Sequence, residues 1–136
     1  MIARLEVSVF APVAPTEVTD RVVDAVETIV PTATIEVRDD GVYATAHSLA
    51  EFSEHLHRRE ILDTARSQFY AGQGERGFSF TVKKQPALSG VVTFAVDEPA
   101  ELGEIEVDVR VTEGSVDDVI DAIAPRTEDG VPVADS

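Results

Sequence analysis

Ile105-Glu106-Val107-Asp108-Val109-Arg110-Val111 is the stretch that decides the fold. Its odd positions are all β-branched and apolar and its even positions all charged, the period of a strand with one face on a core and the other in water. A strand wet on one side belongs to an antiparallel or mixed sheet, not to a parallel sheet buried on both faces. Working upstream, Val92, Phe94 and Val96 repeat the alternation after Gly90. Before them, Phe78, Phe80 and Val82 alternate with Ser79, Thr81 and Lys83, until Pro86 ends that strand or leaves it at an edge. Downstream, Ser115 is placed to cap a helix carrying Val116, Val119, Ile120 and Ile123.

The amino-terminal half repeats these elements. Leu5, Val7 and Val9 alternate with Arg4, Glu6 and Ser8 in a first strand, and Pro12 and Pro15 interrupt it. Thr16 is the expected cap of a helix whose face is Val18, Val22, Val26 and Ile29, closed by Pro31. Ile35 and Val37, the turn Asp39-Asp40-Gly41, and Val42 to Ala46 then read as a hairpin. Ser48-Leu49-Ala50-Glu51 has the form of a capping box at a helix start. From there to Tyr70 the apolar stripe changes: Leu49, Phe52 and Leu56 form one face, and Ile61, Leu62, Ala65 and Phe69 another, rotated by well over ~90° at the helical period. Two helices, or one bent sharply at His57-Arg58-Arg59, account for the shift.

The resulting order is strand, helix, two strands, a bent helix or two helices, three strands, helix. This is an α+β fold with a mostly antiparallel or mixed sheet and helices on one face. Residues 1–126 form one domain, and 127–136, without a core pattern, read as a frayed acidic tail.

At 136 residues the chain has the size of a single domain. Only 6% of it is aromatic, so valine and alanine must fill most of the core. Cysteine is absent, which excludes disulfides, thiolate nucleophiles and cysteine-based zinc sites. The start alternates instead of showing a leader pattern, and no apolar run approaches the ~20 residues of a membrane span, so the expected setting is the cytoplasm, away from membranes. There are 26 acidic and 11 basic residues, a net charge of −15 spread along the chain. Such a chain repels itself in dilute buffer but not in concentrated salt, where the screening length falls to ~3 Å, and the expected host is a halophile.

No catalytic or cofactor constellation emerges. His55 and His57 are two apart, on opposite sides of a helix, and cannot share a metal, while His47 sits at a strand-to-helix junction. Asp39-Asp40 and Asp117-Asp118 suit a turn and a helix start. Ser67 and Ser89 lack the context of a nucleophile, and no glycine-rich segment reads as a phosphate loop. An enzyme acting on a small phosphorylated metabolite therefore has no nameable machinery, and neither a metal nor a cofactor is expected.

The basic residues are distinctive. On a helical wheel His55, Arg59 and Arg66 fall within ~40° of one line, with Arg58 beside them. The stripe suits phosphates, or salt bridges to Glu54, Glu60 and Asp63 on the same helices. Lys83 and Lys84 are the only lysines, adjacent and followed by Gln85. The doublet suits a specific contact, or protection of a sheet edge.

At these segments the chain resembles a known family. Ser48-Leu49, Phe52, Leu56, Ile61-Leu62-Asp63-Thr64-Ala65-Arg66 and Lys84-Gln85-Pro86-Ala87-Leu88-Ser89-Gly90-Val91-Val92-Thr93-Phe94 are similar to signature blocks of the archaeal uncharacterised protein family UPF0201. The opening Val7 to Val13 followed by Pro15-Thr16-Glu17 also resembles its start, so the likeness covers roughly residues 2–112. The chain departs from the family pattern at Lys83 and Pro86. The resemblance implies a fold similar to ribosomal protein L-five, RNA binding, and links to exosome-type partners. On that basis the expected function is non-enzymatic RNA binding through Arg58, Arg59, Arg66, Lys83, Lys84 and Gln85: arginine forks clasp phosphates, and the Gln85 amide reaches a 2′-hydroxyl or base edge. The alternative is a homodimeric interaction module that uses the Lys-Gln strand end, the sheet edge near Pro86 and Gly90, and the bent helix as its interface.

Overall fold

The alternation at Ile105–Glu113 (β5) does line a core. Ile105, Val107, Val109 and Val111 are buried, and Glu106, Asp108 and Arg110 are exposed. The computed structural model describes residues 4–95, 104–128 and 131–132. Alongside β5 lie Arg4–Pro12 (β1), Thr34–Arg38 (β2), Gly41–Ala46 (β3) and Gly77–Val82 (β4), in the antiparallel order β2-β3-β1-β5-β4. The register sets Val7 opposite Val109 and Val9 opposite Val107, with Phe78 and Phe80 continuing those rows in β4. One face of the sheet is therefore apolar and meets the helices. The other carries Glu6, Ser8, Phe10, Tyr43, Glu106 and Asp108.

Valine and alanine do make up much of the buried set, but the part under the second and third helices is aromatic. Phe69 lies 4.8 Å from both Phe78 and Phe80, and Phe80 lies 5.5 Å from Phe52 and 5.7 Å from Phe94, ring centre to ring centre. Five of the six phenylalanines are thus concentrated at one end of the core, each side chain worth roughly 2–3 kcal/mol of burial.

The bent-helix expectation resolves into two helices, Ala50–Arg58 (α2) and Leu62–Ala71 (α3). The Glu60 N–H donates to the His57 carbonyl (3.2 Å) and the Ile61 N–H to the Leu56 carbonyl (3.1 Å), with Glu60 at φ 56°. This is the paired-bond helix stop in which the left-handed position is usually glycine. The stop rotates the chain so that Phe52 and Leu56 before it, and Leu62, Ala65 and Phe69 after it, reach the same core.

Several local expectations are corrected. The first helix, Thr19–Ile29 (α1), starts after Val18, not at Thr16; the Glu17 carboxylate accepts the Ala14 N–H (2.9 Å) in the preceding turn. The Ser48 hydroxyl accepts from Ala50 N–H (3.1 Å), so it caps one residue into the helix and not in the reciprocal box. The Lys84-Gln85-Pro86 segment is not a strand end but a short helix, Lys84–Leu88 (α4). Pro86 fits in its first turn because the amide it lacks would have no partner there. The strand expected at Val92, Phe94 and Val96 is reduced to a bridge between Val82 and Phe94, and Val96 lies outside the described residues. Ser115 caps Val116–Ile123 (α5) as expected, its hydroxyl accepting the Asp118 N–H. The stretch read as a frayed tail begins with a small ladder, Thr127–Glu128 (β6) against Val131–Pro132 (β7), and the Thr127 hydroxyl donates to the Asp63 carboxylate.

Candidate functional site

The six basic and amide residues separate into two groups. Arg58 ends α2 and Arg59 follows it, both exposed on the elbow made by the Glu60 turn. Lys83, at the start of α4, and Gln85, in its first turn, are exposed too. None of Arg58, Arg59 and Lys83 makes an ion pair among the described residues, so the same-helix bridges to Glu54, Glu60 and Asp63 are not formed.

One backbone segment links the elbow to the Lys-Gln corner. The Lys83 N–H donates to the Thr93 carbonyl (2.7 Å) and the Ala95 N–H to the Thr81 carbonyl (2.9 Å), so residues 91–95 run along the β4 edge. On their other side the Val92 N–H donates to His55 Nε2 (3.4 Å). Burial, then the neighbouring Arg58 and Arg59 charges, hold the His55 imidazole below its ordinary pKa and favour the neutral ring that this bond requires. His55 was read as part of the cationic stripe; it is instead a neutral acceptor between elbow and edge. The same segment fills the sheet edge near Pro86 and Gly90 that the homodimer alternative needed.

The other two residues serve the fold, which corrects the expectation that they face RNA. Lys84 is 1% exposed. Its ammonium donates to the Pro12 carbonyl (2.5 Å) and to Glu17 Oε1 (2.9 Å), tying α4 to the loop after β1. A phosphate cannot reach it without undoing that loop. Strand parity carries the signal for this: Phe78, Phe80 and Val82 point inward, and position 84 shares their phase. Arg66 spans from α3 to α5, donating to Asp121 (2.5 Å) and to the Ala124 carbonyl (3.1 Å), and it lies over the Tyr70 ring at 5.1 Å. Its partners are 55 and 58 residues away in sequence, beyond any helical wheel.

The sheet face away from the core has the opposite character. A cleft of 690 Å³ there is lined by Ser8, Tyr43, Ser79, Thr81, Glu106 and Asp108 among others. Its two carboxylates disfavour a phosphate. Among the described residues no three histidine, aspartate or glutamate side chains gather to hold a metal ion, and no helix is long and apolar enough to cross a membrane.

Fold and surface together define an α+β protein with a five-stranded antiparallel sheet, carrying Glu6, Glu106 and Asp108 on the face away from the core. Exposed cations, unpaired among the described residues, lie at a helix elbow and at the strand end joined to it by residues 91–95. No family model matches the chain. A UPF0201 protein of Thermococcus kodakarensis is 34% identical over 135 residues, covering 94% of this chain and 95% of that protein. The crystal structure of a UPF0201 protein from Methanococcus jannaschii superposes with a TM-score of 0.87 at 32% identity, over 95% of this chain and 99% of that one. The chain belongs to the UPF0201 family. It is also 38% identical, over 130 residues, to a UPF0200/UPF0201 protein of Archaeoglobus fulgidus, covering 95% of this chain but only 40% of that longer protein.

Proposed function

We propose that the protein is a non-enzymatic RNA-binding protein whose contacts are Arg58, Arg59, Lys83 and Gln85. The observation that carries this reading is that Arg58 and Arg59 on the elbow, and Lys83 at the strand end joined to it through residues 91–95, are exposed and make no ion pair among the described residues, in a chain of net charge −15. Arg21, Arg76, Arg110 and Arg126 are likewise exposed and unpaired among those residues, elsewhere on the surface. In so acidic a chain carboxylates are plentiful, and arginines held away from them are free for phosphate oxygens. Gln85 adds a neutral amide beside the cations, suited to a 2′-hydroxyl or base edge. Glu6, Glu106 and Asp108 on the sheet face away from the core repel phosphates, which confines the RNA to the elbow and favours a short single-stranded or looped segment over a long helix.

The resemblance to the L-five ribosomal fold, the exosome-type partners it implies, and a halophilic cytoplasm belong to the same proposal. In concentrated salt the general repulsion between an acidic protein and RNA is screened, leaving short-range contacts to decide binding. Ultraviolet crosslinking of the full chain to RNA in its own cells tests the reading. Recovery of RNA crosslinked at α2 or α4 supports it; a background level equal to that of an Arg58→Gln/Arg59→Gln chain contradicts it.

A further inference from the structure

The sheet has one uncovered edge. β2 is outermost, and among the described residues nothing pairs with its outer side. Only Asp39 and Asp40 separate Arg38 from Gly41, which pair across the hairpin, so that pair must itself carry the ladder bonds. The bonded pairs then alternate: Arg38, Glu36 and Thr34 bond inward to β3, while Val37 and Ile35 direct their N–H and C=O groups outward. Val37 is 55% exposed, one of the largest apolar exposures in the described chain. Beside it Glu36 and Arg38 bond each other at 2.8 Å, both exposed, with the Arg38 guanidinium 4.4 Å above the Tyr43 ring.

We propose that β2 pairs with β2 of a second copy of this chain, antiparallel about a two-fold axis at Val37, to form a continuous ten-stranded sheet. In that register Val37 faces Val37, and their outward N–H and C=O groups bond reciprocally. Glu36 of each copy then faces Arg38 of the other in the closer, non-bonded rows, so both charge pairs are attractive. Centring the axis one residue earlier sets Glu36 directly against Glu36, a like-charge pair that disfavours that register. The self-complementary charge pattern selects a second copy over an unrelated strand, and pairing covers the exposed valine. A five-residue edge is short, so the dimer is weak and concentration-dependent. The surface is separate from the RNA elbow, and the two proposals stand or fall independently.

Sedimentation velocity of the full chain over a wide concentration range tests this. The expected result is a reversible dimer. Glu36→Arg alone or Arg38→Glu alone makes both cross-pairs repulsive and weakens the dimer about tenfold. The combined Glu36→Arg/Arg38→Glu chain restores it. Circular dichroism checks that each variant is folded, as exposed positions allow. A monomer at every concentration overturns the proposal, as does a dimer untouched by the single replacements or a double variant as weak as the singles.

Discussion

The Lys84 ammonium lies 2.9 Å from the Glu17 carboxylate, with the two side chains only 2% and 10% exposed. A pair so withdrawn from water is costly to break from one side, because the survivor is left as a buried charge. Lys84→Met should therefore destabilise the fold by about 3 kcal/mol, and the Glu17→Gln/Lys84→Met double variant should recover part of that. Lys83→Gln, one residue away and exposed, should shift stability by less than about 0.5 kcal/mol. Urea denaturation midpoints of the four chains check this; equal effects at positions 83 and 84 would contradict the assignment.

Arg66 clamps α3 to α5 through Asp121 and the Ala124 carbonyl. Arg66→Ala should cost about 1–2 kcal/mol, mostly from the lost bond to the carbonyl and the packing on Tyr70. Amide exchange should rise first in α5. An unchanged melting temperature would remove Arg66 from the structural group and return it to the surface cations.

Glu60 occupies a left-handed position that an L-residue pays for. Glu60→Gly should stabilise the chain by about 1 kcal/mol without altering either helix, since the exposed Glu60 side chain contributes no ion pair among the described residues. Thermal unfolding measures it, and a loss of stability would mean that the carboxylate has a role at the elbow.

His55 has its pKa lowered in the folded state, by burial and then by Arg58 and Arg59. The unfolded chain therefore takes up a proton at a higher pH than the folded one. The stability this site contributes is fully present above about pH 6.5 and is lost as the pH falls through the lower folded pKa. The melting-temperature difference between the unmodified chain and His55→Gln should shrink or reverse from pH 8 to pH 5. A difference that does not vary with pH would show that the His55 pKa is the same in the folded and unfolded chains.

The −15 net charge predicts that folding depends on salt. Circular dichroism in low and multi-molar potassium chloride should show a higher melting temperature at high salt. An unchanged melting temperature and native spectrum in low salt would count against the halophilic setting.

The sheet was legible because a period of two is visible within seven residues, as at Ile105 to Val111. The helix break was legible because Leu56 and Ile61 cannot share one straight stripe. What stayed hidden depended on distance or on proline. Glu17 lies 67 residues from Lys84, and Asp121 lies 55 from Arg66, so neither pairing has a local signature. Pro86 reads as a strand stop, yet it sits in the first turn of α4, where a missing amide costs nothing. Two of the six expected RNA residues were lost for the first reason, and the strand after Gly90 shrank to an edge segment held by His55 on one side and β4 on the other.

The central claim is that a few cations at the elbow hold RNA at contact range. Its most direct test is the salt dependence of binding to a short single-stranded RNA, for the unmodified chain and for Arg58→Gln/Arg59→Gln/Lys83→Gln. Three neutralised phosphates predict a log-log slope near −2, with binding surviving in molar potassium chloride and the triple variant weakened at least about tenfold. No measurable affinity for the unmodified chain, or equal affinity of the triple variant, would contradict the account.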